Sequence, residues 1–278
     1  MSDDGPQFVL SDFQKNPEFF DPTIQMIERA FGYSADYKYA VDFFPLFDAR
    51  YRSRNHILID QVREKVVGHI GVKIHQLGNL QGSLSMPVAF LGGIAIDLDH
   101  QKQGLLKEML PLVLQKYQND VGLFLLWSNL SEVYAKFGFQ EIGEVAQTGE
   151  TPLPSEIEGF EKSKLDNLNA ADYQQVKKLY LEFVVGQFIT VLRQDRDWQM
   201  LRFVSSTDLY LHRDSRGSVD LYFMANKGQD LPGIIHEIAG TKTALDLWLP
   251  KLSQYPCWLP GQWTRDNSLP VKNTVYLA

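Results

Sequence analysis

Residues 99–110, DHQKQGLLKEML, follow directly on the apolar run AFLGGIAID and place one glycine, Gly104, between a polar turn and a helix-patterned stretch. A chain that leaves a buried strand and enters a helix through such a turn aims several unpaired backbone N–H groups at one spot, an arrangement suited to phosphate. The N–H groups of Lys102, Gln103, Gly104, Leu105, Leu106 and Lys107 form the candidate anion site, and the field of the helix they start adds to it. Gly104 lets the backbone approach the anion closely. The ammonium groups of Lys102 and Lys107 either supplement the loop or stand solvated at the helix start.

Groups able to take a proton near this turn are His69, His75, Asp97, Asp99 and His100, each of which also reads as a surface or strand-end residue. Elsewhere the motifs are poorer. HEIAG, 236–240, lacks the second histidine of a zinc-binding HExxH helix, so His236 and Glu237 read as strand residues. WLPGQW, 258–263, with Trp248, reads as an aromatic turn over a core or as a substrate-facing wall. Cys257 is the only cysteine, which excludes an intramolecular disulfide and a cysteine-based metal cluster, and fits a reducing compartment. No metal and no covalent enzyme intermediate is expected.

The elements that must position these groups follow from periodicity. Strands are predicted at 7–13, 55–60, 65–74, 87–97, 121–127 and 139–145; helices at 21–33, at 35–47 with Pro45 interrupting it late, at 102–117 with Pro111 inside it, and around 131–136. The stretch 147–159, rich in Pro, Gly, Thr and Glu, reads as a linker. A second series then replays the first: strands at 160–166, 208–213, 218–225 and 233–240, helices at 169–184 and 195–203, and a helical TKTALDLWLPKL after the last strand. That last turn carries no glycine and little polar density, which puts the pocket chemistry in the first half. The predicted architecture is α/β, with domains at 1–146 and 160–278.

Residues 87–145 resemble the core of the GCN5-related N-acetyltransferase (GNAT) superfamily. In GGIAIDLDHQKQGLL, Gln101 and Gly104 stand in register with that family's phosphate loop, although Leu106 replaces its last small residue. In LWSNLSEVYAKFGFQEIGE, Asn129, Tyr134, Gly138 and Phe139 match its second signature. The resemblance implies two tandem GNAT-like domains, each a mixed twisted sheet flanked by helices, the second degenerate. It implies acetyl-coenzyme A as cosubstrate, its pyrophosphate on the loop and its pantetheine amides paired to the backbone of Ile94, Ala95 and Ile96, with Asn129 also in the cofactor site. Tyr134, which by residue type alone packs at the edge of a short helix, becomes in this register the general acid that protonates the departing thiolate. Relatives in which a terminal carboxylate reaches the site make Ala278 a further candidate base. The aromatic segment 19–47 lies where that family forms its acceptor cleft: much of it is expected in the core, with its exposed members shaping an apolar or amine-recognising pocket.

The implied function is N-acetyl transfer to a small-molecule amine or peptide by direct attack. Two other readings stay open: a non-catalytic acyl-coenzyme A sensor, and transfer of another acyl or aminoacyl group. A formal charge of −7 over 278 residues argues against coating nucleic acid or anionic membrane. With no apolar run of spanning length and no leader-like start, the expectation is a cytoplasmic monomer or homodimer.

Overall fold

The computed structural model describes residues 7–79, 85–185, 189–266, 268–269, 271 and 273–277. The chain divides into two compact units, the first made of residues up to His75 together with Met86–Trp127, the second of Gln76–Ser85 and everything from Ser128 onward.

In the first unit, strand β1 (Phe8–Asp12) is followed by helices α1 (Phe20–Ala30), α2 (Tyr39–Asp42) and α3 (Phe44–Phe47). Strands β2 (Asn55–Asp60), β3 (Lys65–Gly78) and β4 (Ser85–Ile96), helix α4 (Leu105–Tyr117) and strand β5 (Leu123–Leu126) complete the series. The sheet order is β1-β2-β3-β4-β5. The β1–β2 and β2–β3 pairs are antiparallel, whereas β5 lies parallel to β4, a connection that requires a crossover, which α4 supplies. Pro45 starts α3 instead of breaking a longer helix, because a proline tolerates the first turn where its missing N–H is not needed.

Both faces of this sheet are covered, and two glycines of β3 record how tightly. A Cβ at Gly71 would stand 2.7 Å from the Leu46 side chain of α3, and one at Gly68 would stand 3.0 Å from Ile96 and 3.3 Å from Met109 of α4. Residues an odd number apart on a strand point to opposite faces, so the sheet lies between the α1–α3 layer and α4. Ile24, Met26 and Ile27 of α1 pack with Phe13, Tyr39, Leu46, Phe47 and Ile57 on the first side.

In the second unit, α5 (Ser131–Ala135), β6 (Ile142–Thr148), β7 (Glu161–Ser163) and α6 (Ala170–Leu179) precede a single π-turn at Tyr180–Val185. Then come β8 (Thr190–Val191), α7 (Asp195–Leu201), β9 (Asp208–Arg213), β10 (Val219–Ala225), β11 (Ile235–Gly240), α8 (Lys242–Leu252), β12 (Cys257–Pro260), α9 (Gly261–Asp266) and β13 (Asn273–Leu277). Its seven-stranded sheet runs β13-β6-β12-β11-β10-β9-β7, with β11 and β12 parallel and joined through α8. The faces alternate strictly. Leu209, Leu211, Tyr222 and Met224 pack under α6 and α7 with Val176, Leu179 and Trp198, while Tyr210, Leu221 and Phe223 pack on the α8 side with Leu245, Leu249 and Leu252. The short β8 pairs with Leu77 and Gly78, which belong to the same unit.

Each unit is therefore a mixed sheet between helices, as the sequence predicts. Three details differ. The expected boundary at 146 falls inside β6, whose Val145–Thr148 ladder onto β12 and which belongs to the second unit's sheet. Trp258, Leu259 and Pro260 are strand, not turn; their pairing to Gln147, Ala146 and Val145 overrides the local turn signal, and Trp258 Nε1 donates to Gln147 Oε1 at 2.9 Å. Helix α4 starts at Leu105 instead of 102, because Lys102 and Gly104 have φ of +63° and +86°.

Where the chain leaves β6, Gly149 (φ +53°) lies against the turn after α8: a Cβ there would stand 2.3 Å from the Gln254 backbone, to whose carbonyl Glu150 and Thr151 both donate. Gly149→Ala should therefore destabilise the chain by about 2 kcal/mol or more, through a left-handed alanine and a backbone clash that no side-chain rotation relieves, read as a lowered urea midpoint.

Candidate functional site

The first unit brings the loop residues of the sequence motif to one place, the carboxyl end of β4. The ladder between β4 and β5 runs from Val88–Leu123 to Leu91–Leu126, and β4 continues past it to Ile96. Ala95 is buried, while Ile94 and Ile96 are half-buried, Ile96 against the α4 side of the sheet.

Beyond Ile96 the chain turns around one buried carboxylate. Asp97 is 1% exposed and caps a short 3-10 turn, Leu98–His100, by accepting the Asp99 N–H at 3.0 Å. Its other oxygen takes an ion pair from Arg29 of α1 and lies 3.1 Å from Lys65 Nζ of β3. His100 stands with Nδ1 3.3 Å from Asp97 and Nε2 4.0 Å from the buried Asp60 of β2. Burial alone would raise the Asp97 pKa, but the hydrogen bonds from Lys65, His100 and the Asp99 N–H hold the carboxyl below its ordinary value. The turn is thus pinned to α1, β2 and β3 at once.

From this anchor the loop crosses Gln101, Lys102 and Gln103, all exposed, and reaches Gly104. Gln103 Nε2 donates to the Asp99 carbonyl at 3.1 Å, which draws the loop back on itself. Gly104 stands at the N-cap of α4 in the left-handed region and supplies no side-chain cap. A Cβ at this position would meet nothing within 4 Å. The glycine is therefore required by its left-handed backbone and not by packing against neighbours, and the space beside the helix start is open. Leu105 packs inward at 3% exposure, Leu106 is half-buried and Lys107 is exposed. The loop cations face solvent, so their pull on an anion is screened and the backbone donors matter more.

In the second unit, Tyr134 lies on α5, 7% exposed, with its ring edge-on to Phe139 at 6.0 Å. Burial raises its pKa, so the phenol keeps its proton at neutral pH. Gly138 (φ +86°) closes the turn after α5, and Asn129 is exposed in the segment before it.

The candidate bases separate sharply. His69, expected at a surface or strand end, is fully buried in mid-sheet, where burial pushes its pKa down to about 4. Asp97 and His100 are occupied in the anchor, and His75 is half-buried against Phe90. Among those five, only Asp99 is exposed, 3.5 Å from Arg29. Ala278 lies outside the described residues. Sequence reading missed Arg29, Lys65 and Asp60, because nothing in their local patterns singles them out. Among the described residues no cluster of metal-ligating side chains is present, and no helix is long and apolar enough to cross a membrane.

Comparison with known proteins gives the fold a relation. Residues 15–142 match the model described as acetyltransferase (GNAT) domain. A GCN5-related N-acetyltransferase from Anabaena variabilis superposes with a TM-score of 0.65 at 14% identity, covering 97% of this chain and 71% of that one. N-myristoyltransferase from Saccharomyces cerevisiae, with bound myristoyl-CoA, gives 0.67 at 11% identity, covering 100% and 80%. Eis1 from Mycobacterium abscessus gives 0.61 at 14% identity, covering 97% and 72%. At these identities the likeness is one of fold. No curated protein matches the sequence.

Asp97→Asn should lower stability at pH 7 by about 1–2 kcal/mol, the modest end for a buried carboxylate because Arg29 and Lys65 are 48% and 42% exposed. A lowered carboxyl pKa stabilises above the ordinary carboxylate range and loses that contribution as pH falls through the folded value. The gap between parent and variant, measured by urea unfolding at several pH values, should therefore close on acidification.

Proposed function

We propose, from the match of residues 15–142 to the acetyltransferase (GNAT) domain model, that this chain transfers an acetyl group from acetyl-coenzyme A to an amine. The observation that carries the proposal is the start of α4: a left-handed glycine, no side-chain cap, and open space where a Cβ would stand. Donors left unpaired at a helix start, in a place where the chain keeps clear, suit a pyrophosphate.

In this reading the backbone N–H groups of Lys102 to Leu106 hold the pyrophosphate and Gly104 gives it room, whereas the Lys107 N–H, expected to join them, is spent on the Gly104 carbonyl at 2.8 Å. Pantetheine amides pair with the backbone of Ile94, Ala95 and Ile96, in the manner of a strand added to a sheet edge. Support for this comes from the length of β4, which runs on after its ladder to β5 has ended. Asn129 joins the cofactor site on its sequence register alone. The amine nitrogen attacks the thioester carbonyl carbon, the carbon–sulfur bond breaks, and the leaving thiolate takes a proton from the Tyr134 phenol. The phenol is protonated at neutral pH, as an acid must be, while burial raises its pKa and so makes it a weaker donor than an exposed tyrosine. The amine gives up its own proton to water.

A longer acyl donor is the second reading, favoured by the yeast N-myristoyltransferase of the same fold, whose structure holds myristoyl-CoA. Screening amines and peptides for thiol release, with acetyl- and myristoyl-coenzyme A in parallel, decides between them; binding without thiol release would instead mean a sensor.

Two substitutions test the assignments. Gly104→Asp adds a charge and a side chain at the proposed phosphate site and should weaken coenzyme A binding about 10- to 100-fold by calorimetry; unchanged affinity in a folded variant would move the site elsewhere. Tyr134→Phe should leave coenzyme A affinity intact and lower turnover on the order of 100-fold in a thiol-release assay. Equal turnover would leave Tyr134 a packing role only.

A further inference from the structure

Inside β4 one residue departs from the strand. Gly93 has a φ of +60°, two positions past Leu91, where the ladder to β5 ends. A left-handed residue within a strand turns the backbone, and the polar groups at the turn need their own partners. Here the partner is His69 of β3, whose Nδ1 lies 2.7 Å from the Gly93 carbonyl oxygen. The fit leaves no slack: a Cβ on Gly93 would stand 3.0 Å from His69 Nδ1 and 3.3 Å from the Tyr39 hydroxyl.

The histidine itself is held on every side. Its ring stacks on Phe13 and on Phe47, with centroids 5.9 Å and 5.6 Å away and planes inclined by 18° and 30°. Nε2 lies 3.1 Å from Asn55 Oδ1. That oxygen cannot exchange places with the amide nitrogen, because the nitrogen donates to the Leu46 and Tyr51 carbonyls, each at 3.0 Å. Burial keeps the imidazole neutral at pH 7, with one hydrogen to place between two acceptors. The shorter contact decides it: a bare Nδ1 lone pair 2.7 Å from a carbonyl oxygen is the worse repulsion, so Nδ1 carries the hydrogen. Sealed between two rings, His69 is no proton acceptor for a substrate, and its one donor is spent on Gly93.

We infer that His69 is a positioning residue for acyl transfer, donating Nδ1–H to the Gly93 carbonyl and so fixing the turn of β4 at which the thioester end of the donor arrives. The inference rests on the acyl-transfer reading above. In that reading the amide arm runs from the α4 end along Ile96 to Ile94, and the next residue it meets is Gly93. The direction of the backbone at this turn then sets the surroundings of the reacting carbonyl, where a displacement of about 1 Å costs on the order of 100-fold in rate.

The test compares three full-length chains: the parent, His69→Asn and His69→Gln. The asparagine amide nitrogen falls where Nδ1 stands and keeps the donor; the glutamine amide nitrogen falls where Nε2 stands and loses it. Coenzyme A binding is followed by calorimetry, and thiol release from acetyl-coenzyme A with the best amine of the screen, or with water where no amine serves. The expected result is coenzyme A affinity within about threefold in all three chains, kcat reduced about 10- to 100-fold in His69→Gln with little change in KM, and kcat restored to within about threefold of the parent in His69→Asn. Equal turnover in parent and His69→Gln, or equal loss of coenzyme A binding in both variants, would overturn the positioning role alone. A parent that neither binds coenzyme A nor releases thiol would overturn the acyl-transfer reading and this inference with it. Nitrogen-15 NMR of the parent supplies a check that needs no variant to fold: a hydrogen found on Nε2 of His69 at neutral pH would also overturn the inference.

Discussion

A carboxylate withdrawn from water must be surrounded by donors, and Asp97 stands where three segments can supply them. Arg29 reaches it from α1, Lys65 from β3, and Asp99 and His100 from the turn it caps. Removing any one would leave a buried charge short of compensation, so the turn has one low-energy course. That course delivers the chain to Gly104 and decides where α4 begins. The open helix start is thus a product of an ion cluster behind it, and the loop that faces solvent owes its shape to groups that do not.

Much of this arrangement was legible in the sequence, for reasons that can be named. The turn announces itself through one glycine among polar residues between an apolar run and a 3.6-period stretch, all local signals. The anchor does not. Arg29 lies 68 positions from Asp97, and no periodicity or motif links them. His69 illustrates the same limit: its residue type suggests a base, but whether it serves as one depends on Phe13, Phe47 and Asn55, which only the folded sheet brings to it. The paired glycines of LGGIA were a readable hint of a turn in the strand. For β6 and β12 the failure has another cause. Proline, glycine and tryptophan around 258–263 give a turn signal, and the pairing that overrides it comes from residues 145–148, more than a hundred positions earlier.

The two units solve the same packing problem in the same order, a mixed sheet with one parallel pair whose crossover helix covers one face. They part at the entry to that helix. In the first unit the helix begins at an uncapped left-handed glycine. In the second, Thr241 takes an extended conformation and its hydroxyl accepts the Ala244 N–H at 3.3 Å. The strand before it also differs. Glu237 of β11 is bound by Arg193 and by the Tyr222 hydroxyl, a buried and satisfied network that locks the strand to its neighbours.

A capped helix has one fewer unpaired donor to offer an anion, and Thr241 takes up the Ala244 N–H with its hydroxyl. On the proposed reading, the difference between a helix start open to a ligand and one that is not lies at the cap, beneath a shared layering of sheet and helices. Drift across that difference is easy in one direction, since adding a cap stabilises the helix. Return is hard, because it must first give that stability up. Of the two crossover helices, the one in the first unit starts without a side-chain cap and the one in the second starts with one.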